Sequence, residues 1–484
     1  MRFTLLILYS LIQQIAPAQL YDNTWMMGCC YTPISRLNGG INITFDKGYA
    51  DTSYYARKVS FLETSISISN PITGNLMFYS NGCNIFNRLD NIMELGDEIN
   101  PGSIQQMQCE DYGYDLAKGG AILPNSGNSN KYYVIHRAYD DTGKTVDRLY
   151  YSEVDLSFNQ GLGRVIKKNV PMLEQRMYRG QFDIVKHANG LDYWILAYNY
   201  NSDTVFRFLA NADGIHGAVM QYFPIQRKKV DSRAHSTISS DGTKAVRIDP
   251  HTGLFIMDFD RESGLFSNLK QYNYWSSIDS SPVTSVAFSP NNKLLYVSNR
   301  WRLYQFDLES DEIENSRILI DTFDYFSDPY PIAFYLMQLA PDGKIYMNCT
   351  NGVSYLHTIH KPNEKGKACE FRQHDFNLPA QNAFTMPYFP NYKLGAVTAI
   401  NHASTSKLWE LYPNPNHGSF IIQLYGNSHP NARLMIYNLN GQLMYETIIQ
   451  NDSQSVNVNL SSGIYIFKLV KEDGTTNTQK LIID

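Results

Sequence analysis

Eleven histidines, six cysteines and a handful of arginines and tryptophans are the side chains in this sequence that could do chemistry. His136 and Arg137 follow the apolar run Tyr132 to Ile135, so a strand there would carry an imidazole and a guanidinium towards a central channel. His187, His235 and His251 fall near other strand ends or turns. Together with Arg233 they would suit a carboxylate or a sugar, although isolated His and Arg at strand ends more often serve the surface or the packing. Trp301, Trp275 and the stretch Tyr330 to Tyr335 fall where loops are expected. Loop aromatics stack on sugars or anchor a partner, and core packing is the competing account.

Sequence-local catalytic signatures are missing. There is no Gly-x-Ser-x-Gly elbow, no His-Glu-x-x-His and no Gly-rich phosphate loop. The Asp-Gly and Asn-Gly pairs lack the alternating acidic run of a calcium loop and read as turns. Ser239-Ser240-Asp241-Gly242 lacks the spacing and the Trp of a sialidase-type Asp box. No catalytic residue, metal or cofactor is therefore expected. Cys83 with Cys109 and Cys349 with Cys369 are plausible local disulfides, each closing a loop that stabilises by about 3 kcal/mol. Adjacent Cys29 and Cys30 cannot easily bridge to each other, so their partners stay open.

The elements that must hold these residues are β-strands. The 484 residues exceed one domain, 43% are hydrophobic and 18% charged, and the formal charge is −5. No basic patch argues for nucleic acid. The 35 Tyr and 24 Phe favour pleated, half-buried surfaces. At the N-terminus, Met1-Arg2 and the apolar Phe3 to Ile15 precede Ala16-Pro17-Ala18, which reads as a signal peptide cleaved before Gln19. The apolar part is too short to span a bilayer, and no later segment would, so no transmembrane helix is expected in the mature protein.

Three segments repeat at a period near fifty residues: Ser239 to Val246, Ser289 to Tyr296 and Ala340 to Met347. Each has a polar turn, a Lys and an apolar strand. Looser copies begin at His187, Leu123 and Ser69. Several short strands per period of this length describe propeller blades, six or seven of them. Pieces around Ile41 to Phe45 and after Phe371 would complete a ring by pairing the two ends. The hairpin Phe288 to Ser298 resembles the repeat of bacterial propellers with a Ser-Pro-Asp-Gly-Lys-x-Leu-Tyr-Val-Ser core. Gly74 to Gly82 through Cys109, with Cys369 and Leu378-Pro379, is similar to a group of secreted bacterial propellers of unknown role. That likeness implies fold and export and no activity.

After Gly395 the pattern changes. Residues 398–408 read as a linker, and Leu411 begins a run of strands at Ser419–Leu424, Arg433–Tyr437, Gln442–Thr447, Val456–Leu460, Ile464–Leu469 and Thr478–Ile483. Asn440-Gly441 and Asp473-Gly474 mark hairpin turns, giving a small antiparallel β-sandwich. Tyr412-Pro413-Asn414-Pro415 with Gly418 and Phe420, then Gly441-Gln442, Gly463 with Tyr465, and finally Lys480, resemble in order the blocks of the type A C-terminal sorting domain of the type IX secretion system. The resemblance implies recognition by that machinery at the outer membrane of a Gram-negative bacterium. It also implies removal of the tail and release of the cargo or its attachment to surface lipopolysaccharide. The expected layout is a signal peptide (1–18), a β-propeller (19–397), a linker (398–408) and a sorting domain (409–484). The expected role is a secreted or cell-surface propeller that binds a glycan, peptide or envelope component without catalysis. The alternative is a polysaccharide hydrolase or lyase.

Overall fold

The computed structural model describes residues 19–28, 39–143, 145–200, 204–223, 235–249, 251–272, 284–397, 409–424, 432–438, 442–451, 453–470 and 476–484. The expected signal peptide, with Ala16 and Ala18, lies outside them, as do the linker, Cys29 and Cys30. The chain divides into two units, 1–397 and 398–484.

The repeated turns show why the repeat keeps its residues. The Ser239 hydroxyl donates to Asp241 at 2.6 Å and accepts the Lys244 N–H at 2.9 Å, while Asp241 accepts the Thr243 N–H at 2.9 Å. Ser289 and Asn291 repeat this at 2.7 Å, with the Leu294 N–H on Ser289 at 2.9 Å. In the third copy Asp342 accepts the Lys344 N–H at 3.2 Å. The residue after each acceptor has positive φ, 74° at Gly242, 60° at Asn292 and 79° at Gly343, which only Gly and Asn adopt readily.

Seven groups of antiparallel strands follow among the described residues of the first unit, the third to fifth of them joined into one eleven-stranded sheet. The first holds β1 (Thr24–Met27), β2 (Gly40–Thr44) and β3 (Asp51–Tyr55), and the second β4 (Ile66–Ser69), β5 (Leu76–Ser80) and β6 (Ile85–Asn87). The third holds β7 (Gly120–Asn125), β8 (Asn128–Tyr139), β9 (Val146–Asp155) and the first part of β10 (Arg164–Lys186). The end of β10 opens the fourth, with β11 (Tyr193–Asn199), β12 (Thr204–Asn211) and β13 (Gly214–Tyr222). The fifth holds β14 (His235–Ile238), β15 (Lys244–Asp249), β16 (Gly253–Asp260) and β17 (Leu265–Tyr272). The sixth holds β18 (Thr284–Phe288), β19 (Leu294–Asn299), β20 (Arg302–Asp307) and β21 (Ile318–Thr322). The seventh holds β22 (Phe334–Leu339), β23 (Ile345–Cys349), β24 (Val353–Ile359) and β25 (Phe371–Asn382).

Successive sheets pack face to face. Ile66, Ile68 and Phe78 meet Ile122, Val134 and Val154. Val185 and Leu196 meet Phe255 and Met257, and Val246 and Leu254 meet Val286 and Val297. Ala287 and Tyr296 meet Phe334 and Met347. The ring closes where Tyr346 of the seventh sheet lies 6.1 Å from Trp25 of the first. The first unit is a β-propeller with seven blades.

The two ends meet at the closure as expected, but not through a ladder between the expected strands. β25 is the outermost strand of the last blade, laddered to β24, and β1 to β3 form a blade of their own. β1 runs antiparallel to β4, with the Ser65 hydroxyl on Met26 O at 2.6 Å and the Ser67 hydroxyl on Thr24 O at 2.9 Å. The innermost place in the first blade is taken by residues 383–394 after β25. They start where Asn382 accepts the Gly28 N–H at 3.4 Å and end where Lys393 faces Asp22 at 3.7 Å, with Phe389 stacked 6.2 Å from Trp25. Pro387 and Pro390 have no N–H to give a ladder, so side chains hold the segment. Tyr388 accepts the Ile184 N–H at 2.7 Å, Tyr392 donates to Ile122 O at 2.6 Å, and Lys186 donates to Tyr392 O at 2.9 Å. The segment fills the middle of the channel.

One expected disulfide is present: Cys83–Cys109, with Cα atoms 5.5 Å apart, ties β5's following turn to the end of α1 (Ser103–Gln108). The other is corrected. Cys349 and Cys369 are both free and buried in separate apolar clusters, and the Cys349 thiol donates to Asn351 O at 3.1 Å.

The second unit is a sandwich of two sheets. One orders β26 (Trp409–Tyr412), β27 (Ser419–Leu424) and β30 (Ser453–Asn457). The other orders β29 (Leu443–Ile449), β28 (Ala432–Tyr437), β31 (Gly463–Val470) and β32 (Thr476–Ile483). Phe420, Ile422, Leu434, Ile436, Phe467 and Leu481 fill it. β26 was not among the expected strands, because four residues are too few to mark a period. β30 lies before the expected Val456–Leu460, because only one of its side chains, Val456, turns inward. Both Gly-containing hairpin turns lie outside the described residues.

Candidate functional site

Residues just ahead of the inner strands converge at one mouth of the channel. Glu63 precedes β4, Asp115 and Ala117 precede β7, and Arg179 and Gly180 sit where β10 turns inward. His235 begins β14, Tyr335 is the second residue of β22, and Thr350 follows β23. They enclose a cavity of about 240 Å3, with Leu336 and Phe384 as its apolar walls.

Glu63 is the centre of this mouth and is only 3% exposed. Tyr335 donates to its Oε1, and the Arg179 guanidinium lies 3.7 Å from Oε2. Arg179 also donates to Asp115 O at 3.4 Å and lies 5.2 Å from the Tyr139 ring centre, so it is braced from two sides. Burial, with the nearby Asp115 charge adding to it, pushes the Glu63 carboxyl up to about 7 against the pull of Arg179 and the Tyr335 hydrogen bond. Three enclosed polar atoms at this mouth have no hydrogen-bond partner among the described residues: Glu63 Oε2, Thr350 Oγ1 and His235 Nδ1. Burial holds His235 well below the ordinary imidazole range, with Lys118 adding to it, so its ring is neutral and one nitrogen accepts. The set offers acceptors and one hydroxyl to a ligand that brings donors.

A second cavity of about 280 Å3 shares His235 with the first and is lined also by Val286, Phe288, Leu339 and part of the channel segment. Its buried Lys118 donates to Asp183 at 2.8 Å, Phe182 O at 3.2 Å and Ser236 O at 2.5 Å, and so holds neighbouring blades together.

Of the residues singled out in the sequence, His235 and Tyr335 line the Glu63 cavity, whereas His136, Arg137 and Trp301 do not. His136 and Arg137 lie inside β8 rather than after a strand, both fully buried, and line neither cavity. His136 pairs with Asn100 at 2.6 Å and Ser152 at 3.0 Å, and burial pushes it down to about 3. Arg137 donates to Tyr178 O and, at 2.9 Å, to Arg179 O, fixing the backbone that presents Arg179. Trp301 is 40% exposed, between β19 and β20, on Arg300 and Phe323. Arg233 and Trp275 lie outside the described residues. Sequence reasoning singled out Tyr335 with its loop stretch and missed Glu63 and Arg179. The signal that finds them is a polar residue one to three places ahead of the inward-running part of each inner strand.

The tail's motif residues have a shared task. Asn414 accepts the Ile482 N–H at 2.8 Å, the Asn416 N–H donates to Ile482 O at 3.1 Å, and Asn416 O accepts the Asp484 N–H at 2.8 Å. The loop of Tyr412, Pro413, Asn414 and Pro415 is thereby fastened to the last strand. Gly418, at φ 90°, leaves no room for a Cβ, which would lie 2.5 Å from Val458 O. Phe420 packs on Phe467 at 6.1 Å, Tyr465 donates to Ser461 O at 2.8 Å, and the Gln442 N–H donates to Asn438 at 3.0 Å. Lys480 pairs with Ile466 in the ladder that begins at Gly463, and Gly441 lies outside the described residues. Residues 410–484 match the secretion system C-terminal sorting domain. With this sorting domain the protein is cargo of the type IX secretion system, exported to the cell surface or the extracellular space. No helix among the described residues is long and apolar enough to cross a membrane.

No curated protein matches the chain. Among solved structures, a 6-phosphogluconolactonase candidate from Bacteroides uniformis ATCC 8492 is similar at 14% identity, covering 74% of this chain and 98% of that one, with a TM-score of 0.41. The periplasmic gluconolactonase of Pseudomonas aeruginosa is similar at 12% identity over 95% and 99%, with a TM-score of 0.37. A functionally unknown protein from Desulfotomaculum acetoxidans DSM 771 is similar at 11% over 75% and 98%, also at 0.37. Likeness at this level carries nothing about activity.

Proposed function

We propose that the exported propeller binds a neutral saccharide at the Glu63 mouth. The observation that carries this reading is the set of buried groups around one cavity, Glu63 Oε2, Thr350 Oγ1 and His235 Nδ1, that have no hydrogen-bond partner among the described residues. Unpaired buried acceptors cost free energy that hydroxyl donors would recover, and Phe384 and Leu336 offer apolar wall to a sugar ring. Two acids, Glu63 and Asp115, against one Arg179 disfavour an anionic ligand. A signal peptide removed before Gln19 accords with delivery to the outer-membrane machinery of a Gram-negative bacterium. The test is a glycan array with the chain from Gln19 onward, alongside Glu63→Gln. Specific binding that the substitution weakens is expected; no binding to any saccharide at high protein concentration would overturn the reading.

One observation favours a second reading, that of a polysaccharide-active hydrolase. A carboxyl held near 7 is suited to proton donation at a glycosidic oxygen. It ranks second because hydrolysis asks for a partner acid across the bond, and Asp115 is the only other acid among the described residues lining the cavity. Release of reducing ends from any polysaccharide, lost in Glu63→Gln, would reverse the ranking.

A further inference from the structure

We propose that the saccharide is a polymer, with one unit in the Glu63 cavity and the adjoining units on an aromatic shelf formed by Trp301, Tyr325, Phe326 and Tyr330. This rests on the saccharide reading of the cavity and names the ligand class more closely. The shelf and the cavity belong to one face. The cavity residues stand at the starts of the inner strands, and the loop that carries Tyr325, Phe326 and Tyr330 is the one that leads into β22, whose second residue is Tyr335. Trp301 stands in the loop between β19 and β20, next to Arg300, whose carbonyl accepts the Phe334 N–H at 3.2 Å. A short run of rings joins the two places. Phe334, beside Tyr335, lies 6.4 Å from Phe323, and Phe323 lies 5.7 Å from Trp301 and 5.3 Å from Tyr325.

The shelf rings are unusually open, Tyr325 at 79%, Tyr330 at 56%, Trp301 at 40% and Phe326 at 38%. A contiguous group of exposed large apolar side chains marks a contact surface. Two of these rings, Phe326 and Trp301, are also held in place before any contact is made. Phe326 stacks on His374 at 4.3 Å, and His374 is paired to Asp324 at 2.8 Å. Tyr355 donates to Asp328 at 2.9 Å, and the Arg300 guanidinium lies 5.0 Å from the Trp301 ring. Preset rings lose little entropy on binding. Aromatic faces alternating with Asp324, Asp328 and Arg300 suit the two chemistries of a sugar chain, its C–H faces and its hydroxyl edges. A row of such faces leading away from a cavity that takes one unit is the arrangement that a chain would use.

The test is calorimetric titration of the chain from Gln19 onward with neutral oligosaccharide ladders of one to six units, built from β-1,4-glucose, β-1,4-xylose, α-1,4-glucose and β-1,4-N-acetylglucosamine. At least one ladder should gain about tenfold in affinity or more between one and four units, as two or three ring contacts would give. Tyr325→Ala with Tyr330→Ala should remove that gain and leave the affinity of the single sugar unchanged. Both rings are exposed, and an unchanged melting temperature verifies that the variant folds. Affinity that stays flat with length, or a gain that survives the double substitution, overturns the shelf while leaving the cavity reading intact. No binding to any ladder overturns both. Sedimentation with phosphatidylcholine vesicles that is abolished by the double substitution would assign the shelf to a lipid surface and overturn the proposal.

Discussion

Replacing Glu63 with Gln isolates the proton that the channel mouth holds. In the unfolded chain the carboxyl has its ordinary value of 4.5, and in the fold it is pushed up to about 7. The folded protein therefore binds this proton more tightly than the unfolded chain does, and stability must decline as pH rises between these two values. The difference corresponds to roughly 3 kcal/mol, fully present as a favourable contribution below about pH 4.5 and gone above about pH 7. Glu63→Gln keeps an acceptor for Tyr335 and removes the titration. Urea unfolding at pH 5, 6, 7 and 8, read on the propeller's transition, measures it. Between pH 5 and 8 the wild type should lose about 2–3 kcal/mol relative to the variant. Other titrating groups cancel in that difference as long as they do not touch Glu63. Parallel pH profiles for the two proteins would show that Glu63 is an ordinary ionised glutamate and that the account of the mouth's electrostatics is wrong.

Cys83→Ser should lower stability by about 3 kcal/mol through the freed 26-residue span, measured by urea midpoint under non-reducing conditions. Alkylation mapped by peptide mass should leave Cys349 and Cys369 unlabelled in the folded protein and labelled once it is unfolded, since both are buried thiols. Tyr392→Ala should cost about 3–5 kcal/mol in the propeller's thermal transition, because a buried ring and its bond to Ile122 O are lost together. Asn416→Ala should destabilise the sorting domain by about 1–3 kcal/mol and reduce the amount of protein at the cell surface; normal delivery would separate this contact from export.

Much of the propeller was legible in the sequence because its turns make chemical demands. Ser239 and Ser289 recur because their hydroxyls close the turn, and Gly242, Asn292 and Gly343 because φ is positive there. The first blade was harder to read. Its innermost segment lies more than 320 residues from its strands in sequence and is broken by Pro387 and Pro390, so neither period nor alternation marks it. His136 and Arg137 drew attention as adjacent ionisable residues at a strand end, but β8 continues to Tyr139 and turns both into interior supports. Glu63 was hidden for the opposite reason. It is a single acid in Phe61-Leu62-Glu63-Thr64, and only the ring brings Arg179 and Tyr335 to it. The sorting domain was the most legible part, since its blocks mark the places where the first loop and the last strand fasten together.

Because residues 383–394 supply the centre of the first blade, its closure depends on contacts of very long sequence separation: its first strands wait for nearly the last of the propeller's residues. A chain that emerges N-terminus first cannot complete its ring until that stretch has followed it. The sorting domain begins at residue 410, within twenty residues of the closing segment. Completion of the cargo and arrival of its address are thus nearly the same event. A chain cut short before residue 383 would be both unclosed and unaddressed, so the order of the sequence itself withholds unfinished protein from the outer membrane.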